Sequence, residues 1–221
     1  MKASRGSCHL SLTPIKSVRT AVCLPGFADT SRYWSGQVPD WLDVATLDVE
    51  WPGTWDNEHV DDPVSIAIAR AVGAVRSGDV VIGHSMGARA ALEVANASRP
   101  AALILLAPPP PTPAFLTPSA VRQWRTSGVR PTMRPDPLTG RDTELLIDVT
   151  YADSWLRRPS SLATVVPTLA FLFSDDAAAP PTLLDATTII ELEGPHRWWE
   201  SPAASRRVAI EAHEWLVDTL S

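Results

Sequence analysis

Lysine is nearly absent from this chain of 221 residues: Lys2 and Lys16 stand against 17 arginines among the 19 basic residues. Cysteine is equally scarce. Cys8 and Cys23 are the whole complement, which excludes a disulfide framework, and Cys23 in an apolar run reads as a small buried thiol. No apolar run approaches the roughly 20 residues that a membrane-spanning helix needs. The first 17 residues hold no continuous apolar stretch of the kind a secretory leader carries, so they read as a loose lead-in to a cytoplasmic protein. There is no G-x-G-x-x-G, no Walker loop and no Cys/His cluster, and therefore no nucleotide, cofactor or metal is expected. The net charge of -6 comes without a basic patch, Arg157-Arg158 and Arg206-Arg207 reading as solvated faces, which argues against a nucleic-acid partner.

What is present is an ordinary soluble composition, 45% hydrophobic and 20% charged, in a length suited to one α/β domain with a small insertion. Short apolar runs alternate with helix-period segments, the pattern of parallel strands joined by crossover helices. Strands are expected at Ala21–Leu24, Val44–Val49, Asp79–Ile82, Ala102–Leu106, Pro167–Phe173 and Thr187–Leu192. Their continuous apolar character suits a sheet covered on both faces. Asp62 and Pro63 open one helix, with Val64, Ile68, Ala71, Val72 and Val75 on its buried side; Ser201 and Pro202 open the last, with Val208, Ala212, Trp215 and Leu216 as its stripe. The core is expected over 18–107 and 166–221. Between them, 108–165 reads as a proline-rich insertion, stiffened by Pro108 to Pro111, Pro113 and Pro118, with helices at Ser119–Ser127 and Asp142–Leu156 forming a small lid that leaves the site open.

The chemistry centres on Gly83-His84-Ser85-Met86-Gly87. An apolar run, Val80 to Ile82, precedes it and a helix-compatible stretch, Ala88 to Ala95, follows. A serine on so sharp a strand-to-helix turn projects its hydroxyl above the sheet edge, and only small residues two before and two after permit the turn. A serine hydroxyl needs a base and a group to orient that base. Of the five histidines, His9 lies in the lead-in, His59 in a polar loop and His213 on the last helix, while His84 reads as a structural part of the elbow. His196, in the loop Glu193-Gly194-Pro195-His196 after a strand, is the candidate base. The orienting carboxylate is Asp175 or Asp176, neighbours at the end of the strand before it. Backbone N–H groups of Met86 and of Phe27, the latter in Pro25-Gly26-Phe27, are the candidate donors to an oxyanion. Trp34, Trp124 and Trp155, among nine tryptophans, are candidate pocket walls, and Trp198 and Trp199 stand just beyond His196.

These residues, in the order serine, aspartate, histidine, resemble the α/β-hydrolase fold family across Val18 to Leu220. Pro25-Gly26-Phe27 with Trp34 downstream is similar to that family's loop after its first central strand, and Gly194-Pro195-His196 followed by Pro202 matches its histidine loop. The family's Gly-x-x-Asp-x-x-x-Pro, laid on Phe173 to Pro180, selects Asp176 over Asp175. Asp48 to Trp55 departs from the Asp-x-x-Gly-x-Gly of many relatives, so a bulkier loop is expected there. The resemblance implies a mostly parallel sheet with helices on both faces. It also implies serine-dependent hydrolysis of an ester or thioester of a small to medium apolar acyl compound, free or carrier-bound; elimination or acyl transfer on the same residues is the alternative. The excess of Arg, Ala and Pro suits a GC-rich bacterial genome and a place in secondary metabolism.

Overall fold

Six short segments with apolar residues on both faces can be buried only between two layers of helices, and the computed structural model shows that arrangement. It describes residues 18–56, 58–159, 163–178 and 188–221. The lead-in with Cys8 and His9, as well as Pro180 and Thr187, lies outside the described residues. The elements in chain order are β1 (Thr20–Leu24), α1 (Val38–Leu42), β2 (Ala45–Asp48), α2 (Pro63–Ala74), β3 (Val80–His84), α3 (Met86–Ser98), β4 (Ala102–Leu106), α4 (Pro118–Ser127), β5 (Val129–Pro135), β6 (Asp142–Asp148), α5 (Val149–Leu156), β7 (Thr168–Phe173), β8 (Thr188–Leu192) and α6 (Pro202–Leu220). The central sheet is parallel throughout, in the order β2-β1-β3-β4-β7-β8.

Alternation along each strand divides the core in two. Val22, Leu24, Val81, Leu103, Leu105 and Ala170 face a layer built from α2, α3 and the segment between β4 and β7. Ala21, Cys23, Val80, Ile82, Ile104, Leu106, Phe171 and Phe173 face α1 and α6. Cys23 is fully buried. The helices begin as their sequences require. Pro63 follows Asp62, whose carboxylate caps Ser65 N at 3.3 Å, and Pro202 follows Ser201, whose hydroxyl caps Ala204 N at 3.3 Å.

The segment between β4 and β7 differs from its sequence reading in one respect. Residues 142–148, expected to be helical, form β6, which pairs antiparallel with β5 from Val129↔Asp148 to Pro135↔Asp142. The helix starts only at Val149. Leu145 and Ile147 are buried while Leu146 is exposed, a period of two that overrides the helical stripe expected of Leu145, Leu146, Val149 and Leu156. The connecting turn is pinned by Asp136, whose carboxylate accepts from Leu138 N at 2.9 Å and Thr139 N at 2.7 Å, with Gly140 at φ 69°.

The strand order reverses between β1 and β3. β2 lies to one side of β1 and the rest of the sheet to the other, and the crevice beyond the carboxyl ends at such a reversal is where parallel sheets place ligands. The loop after β1 and the turn after β3 meet there.

Candidate active site

Ser85 occupies the turn from β3 into α3 with φ 52° and ψ -121°, a conformation that non-glycine residues rarely adopt and that surrounding structure must enforce. The enforcement is visible. Ser85 N donates to Leu106 O at 2.8 Å and Ala88 N to Ser85 O at 2.9 Å. A side chain on Gly83 would meet Gly87 O at 2.4 Å, and one on Gly87 would meet Leu24 O at 2.2 Å. Both glycines are therefore required for β1, β3 and α3 to approach so closely. On the other side, a Cβ on Gly26 would lie 3.2 Å from Ser85 Cβ, which places the loop after β1 directly against the serine.

The acid and the base arrive from the ends of β7 and β8. Asp176, with its side chain wholly buried, accepts from His196 Nδ1 at 2.7 Å, and its other oxygen accepts from Ala178 N at 2.9 Å. Asp175 is exposed and paired with the Ser174 hydroxyl, while its backbone N–H donates to Gly194 O at 3.2 Å, tying the two strand ends together. The His196 side chain is 24% exposed. His84 connects this loop to the elbow: its ring centroid lies 4.7 Å from that of His196, and its Nε2 is 3.0 Å from His196 O. A carbonyl can only accept, so His84 carries its proton on Nε2. Burial pushes its pKa well down, so the ring is neutral and structural. Among the described residues no hydrogen bond closes between Ser85 Oγ and the His196 ring; such contacts are commonly loose before a substrate is seated.

The loop after β1 is gripped from two directions. Trp51 Nε1 donates to Gly26 O at 2.8 Å. The carbonyl and the N–H of a trans peptide point oppositely, so this bond turns Phe27 N–H to the side away from Trp51. The Phe27 ring stacks on Phe115 at 4.4 Å and meets Tyr151 edge-on at 5.3 Å and Trp124 at 6.0 Å, while Arg134 from β5 donates to Phe27 O at 3.1 Å. All four partners come from the segment between β4 and β7. The segment packs over this loop, and Ser85 is 8% exposed.

Ser85, His196 and Asp176 are thus brought together, with Phe27 and Met86 at the two backbone positions flanking the serine. The three tryptophans are not pocket walls. Trp34 (1% exposed) packs near Trp198 in the layer under α6. Trp124 (2%) donates its indole N–H to Ile147 O at 2.9 Å. Trp155 (1%) packs on Trp51 with the Arg89 guanidinium over its ring. Protein atoms take up the surfaces these rings would offer a substrate. Phe27 and Phe115 are half-buried rings stacked against the loop after β1, Trp199 is half-buried and edge-on to His84 at 4.8 Å, and Phe115 was marked by its sequence only as one apolar residue among prolines. Trp51, Arg134 and Tyr151, which hold the loop after β1, likewise carry no motif.

A family model described as "Alpha/beta hydrolase family" matches residues 21–218. Solved structures with this fold include a monoacylglycerol lipase from Paleococcus ferrophilus, 16% identical over 94% of this chain and 96% of that one, with a TM-score of 0.67. Alpha/beta hydrolase domain-containing protein 10 from mouse is 15% identical over 96% and 93%, with a TM-score of 0.63. RedJ, a thioesterase from the prodiginine biosynthetic pathway of Streptomyces coelicolor, is 19% identical over 88% and 84%, with a TM-score of 0.56. At these identities the likeness is one of fold. No curated protein matches the chain in sequence.

Proposed function

Because the chain belongs to the alpha/beta hydrolase family over residues 21–218, we propose that it hydrolyses an ester or thioester of a small to medium apolar acyl compound through an acyl-enzyme on Ser85. The observation that carries this reading is the buried Asp176 carboxylate 2.7 Å from His196 Nδ1, set beside a serine held at φ 52°. Asp176 keeps the imidazole proton on Nδ1, which leaves the Nε2 lone pair free to take the Ser85 proton as Oγ attacks the acyl carbonyl. Negative charge moving onto the carbonyl oxygen is met by the N–H groups of Met86 and Phe27, the latter aimed by the grip of Trp51 on Gly26. Collapse expels the alcohol or thiol, which takes the proton back from His196. A water molecule then gives its proton to His196 and attacks the acyl carbon, and collapse breaks the bond to Ser85 Oγ, which takes that proton back from His196 as the acid is released.

The faces of Phe27 and Phe115 suit an apolar acyl chain. A lipase and a biosynthetic thioesterase among the structures of this fold support esters and thioesters as the substrate class. Together with the arginine-rich composition, the thioesterase supports a role in secondary metabolism, on a carrier-bound acyl chain in the cytoplasm. No helix among the described residues is long and apolar enough to cross a membrane. Turnover in ¹⁸O-labelled water tests the reaction type. Label in the released acid is the expected result. An unlabelled product with a new double bond would assign an elimination to the same residues, and an acyl group joined to a second nucleophile would assign a transfer.

A further inference from the structure

Arg134 is an uncompensated cation beside the candidate oxyanion loop. It reaches in from β5, donates to Phe27 O at 3.1 Å and to Met133 O at 2.9 Å, and has no carboxylate within ion-pair distance among the described residues. Its Nε is buried without a partner. A guanidinium taken partly out of water and left without an anion is costly to keep, and burial lowers its pKa. Asp29 is the carboxylate that faces it. That group is already engaged: Asp29 accepts from Thr30 N at 3.1 Å and lies 4.0 Å from Arg197. A second donor stands close by. Tyr151, 2% exposed, packs its ring against the same Phe27 whose carbonyl oxygen accepts from Arg134. Its hydroxyl is buried with no acceptor, and the neighbouring Trp155 indole can only donate. Two buried groups that need an acceptor therefore flank the same loop, and nothing among the described residues supplies one.

We propose that Arg134, with the Tyr151 hydroxyl, receives an anionic group of the substrate, a carboxylate or a phosphate, while the remainder of the acyl compound lies against Phe27 and Phe115. This rests on the reading of Ser85 as nucleophile and adds the substrate's charge to it. A guanidinium hydrogen-bonded to a carboxylate or phosphate is the strong case of such contacts, and the anion would satisfy both orphaned donors at once.

The test compares pairs of substrates that differ only in charge. On the acyl side the pair is mono-4-nitrophenyl glutarate against 4-nitrophenyl butyrate; on the leaving-group side it is butyryl-coenzyme A against butyryl-N-acetylcysteamine. Wild-type protein is expected to favour the charged member of one pair by about 10- to 100-fold in kcat/KM, and the pair that shows it identifies which end carries the anion. Arg134→Gln should bring that ratio to about 1, Arg134→Lys should restore part of it, and Tyr151→Phe should lower it by about 3-fold. The ratio is the decisive readout because loosening Phe27 slows both members of a pair alike. Calorimetric binding of glutarate monomethyl ester and of coenzyme A to Ser85→Ala protein, with and without Arg134→Gln, reads the anion site whether or not Ser85 is the nucleophile. Ratios that Arg134→Gln and Tyr151→Phe leave unchanged in both pairs, or anion binding to Ser85→Ala protein that Arg134→Gln does not weaken, would overturn the proposal. Silence of both pairs with calorimetric binding intact would count against the hydrolase reading and leave the anion site standing.

Discussion

The site is made of two halves with different construction. The first is borne by the sheet: Ser85, Asp176 and His196 stand on the ends of β3, β7 and β8, and glycines at 83, 87 and 26 let the backbones close to the distances they need. The second is borne by the segment between β4 and β7, which brings Phe115, Trp124, Arg134 and Tyr151 onto Phe27. The first half is specified by backbone demands, a strained turn and strand ends in register. The second is specified by side chains that fill space. In the proposed reaction, chemistry belongs to the sheet and selection of the substrate to the segment that covers it.

The sharpest way to break that division is in the sheet-borne half. Ser85→Ala and His196→Ala are each expected to lower kcat by roughly 10⁴- to 10⁶-fold, with the double variant little worse, because the residues act as a unit. Rate measurements on any accepted ester check this, and additive losses would mean that the two do not work together. Next in size, Asp176→Asn should cost about 10⁴-fold through loss of the imidazole tautomer. Asp175→Asn, on an exposed side chain, should stay near wild type.

Trp51 joins the halves, since it grips Gly26 O and packs against Tyr151 and Trp155. Trp51→Phe keeps the ring contacts and removes the single donor. A drop of about 5-fold in kcat, in line with the roughly 1 kcal/mol net value of one hydrogen bond, is expected with little change in melting temperature. A larger fall in stability than in kcat would make Trp51 a packing residue alone.

The smallest effect concerns how the covering segment is fastened. Asp62 caps α2, accepts from the Ser154 hydroxyl of α5 and pairs with Arg157 at 3.3 Å. Partial burial alone would raise its pKa, but the hydrogen bonds from Ser154 and Ser65, with Arg157, outweigh this and hold the carboxyl down at about 2. A depressed carboxylate pKa adds stability that is complete above the unfolded value near 4 and is lost as pH falls toward 2. Urea midpoints should therefore separate wild type from Asp62→Asn at pH 7 and converge at the acid end of that window.

The two halves were also unequally legible. The strands could be placed because residues such as Val80 to Ile82 and Ala102 to Leu106 are apolar on both faces and bounded by turns. The elbow could be placed because Gly83 and Gly87 answer a backbone requirement that few other residues meet. Asp176 was separated from Asp175 only by resemblance, since neighbouring carboxylates differ by burial, a property of the fold. In the covering segment, Leu145, Leu146, Val149 and Leu156 happen to match a helical stripe although 142–148 is a strand. Asp136 and Gly140 between two runs of alternating burial were the available hairpin signal. Trp34, Trp124 and Trp155 offered size without direction, and large aromatic rings are most often core.

The proposed reaction passes a covalent acyl group through Ser85. Acid quenching during turnover of an ester, followed by mass measurement of the peptide that contains Ser85, tests it most directly, because deacylation slows when His196 is protonated. A mass increase equal to the acyl group is expected on that peptide and is absent from Ser85→Ala protein. Steady turnover with Ser85 unmodified at every quench time would contradict it.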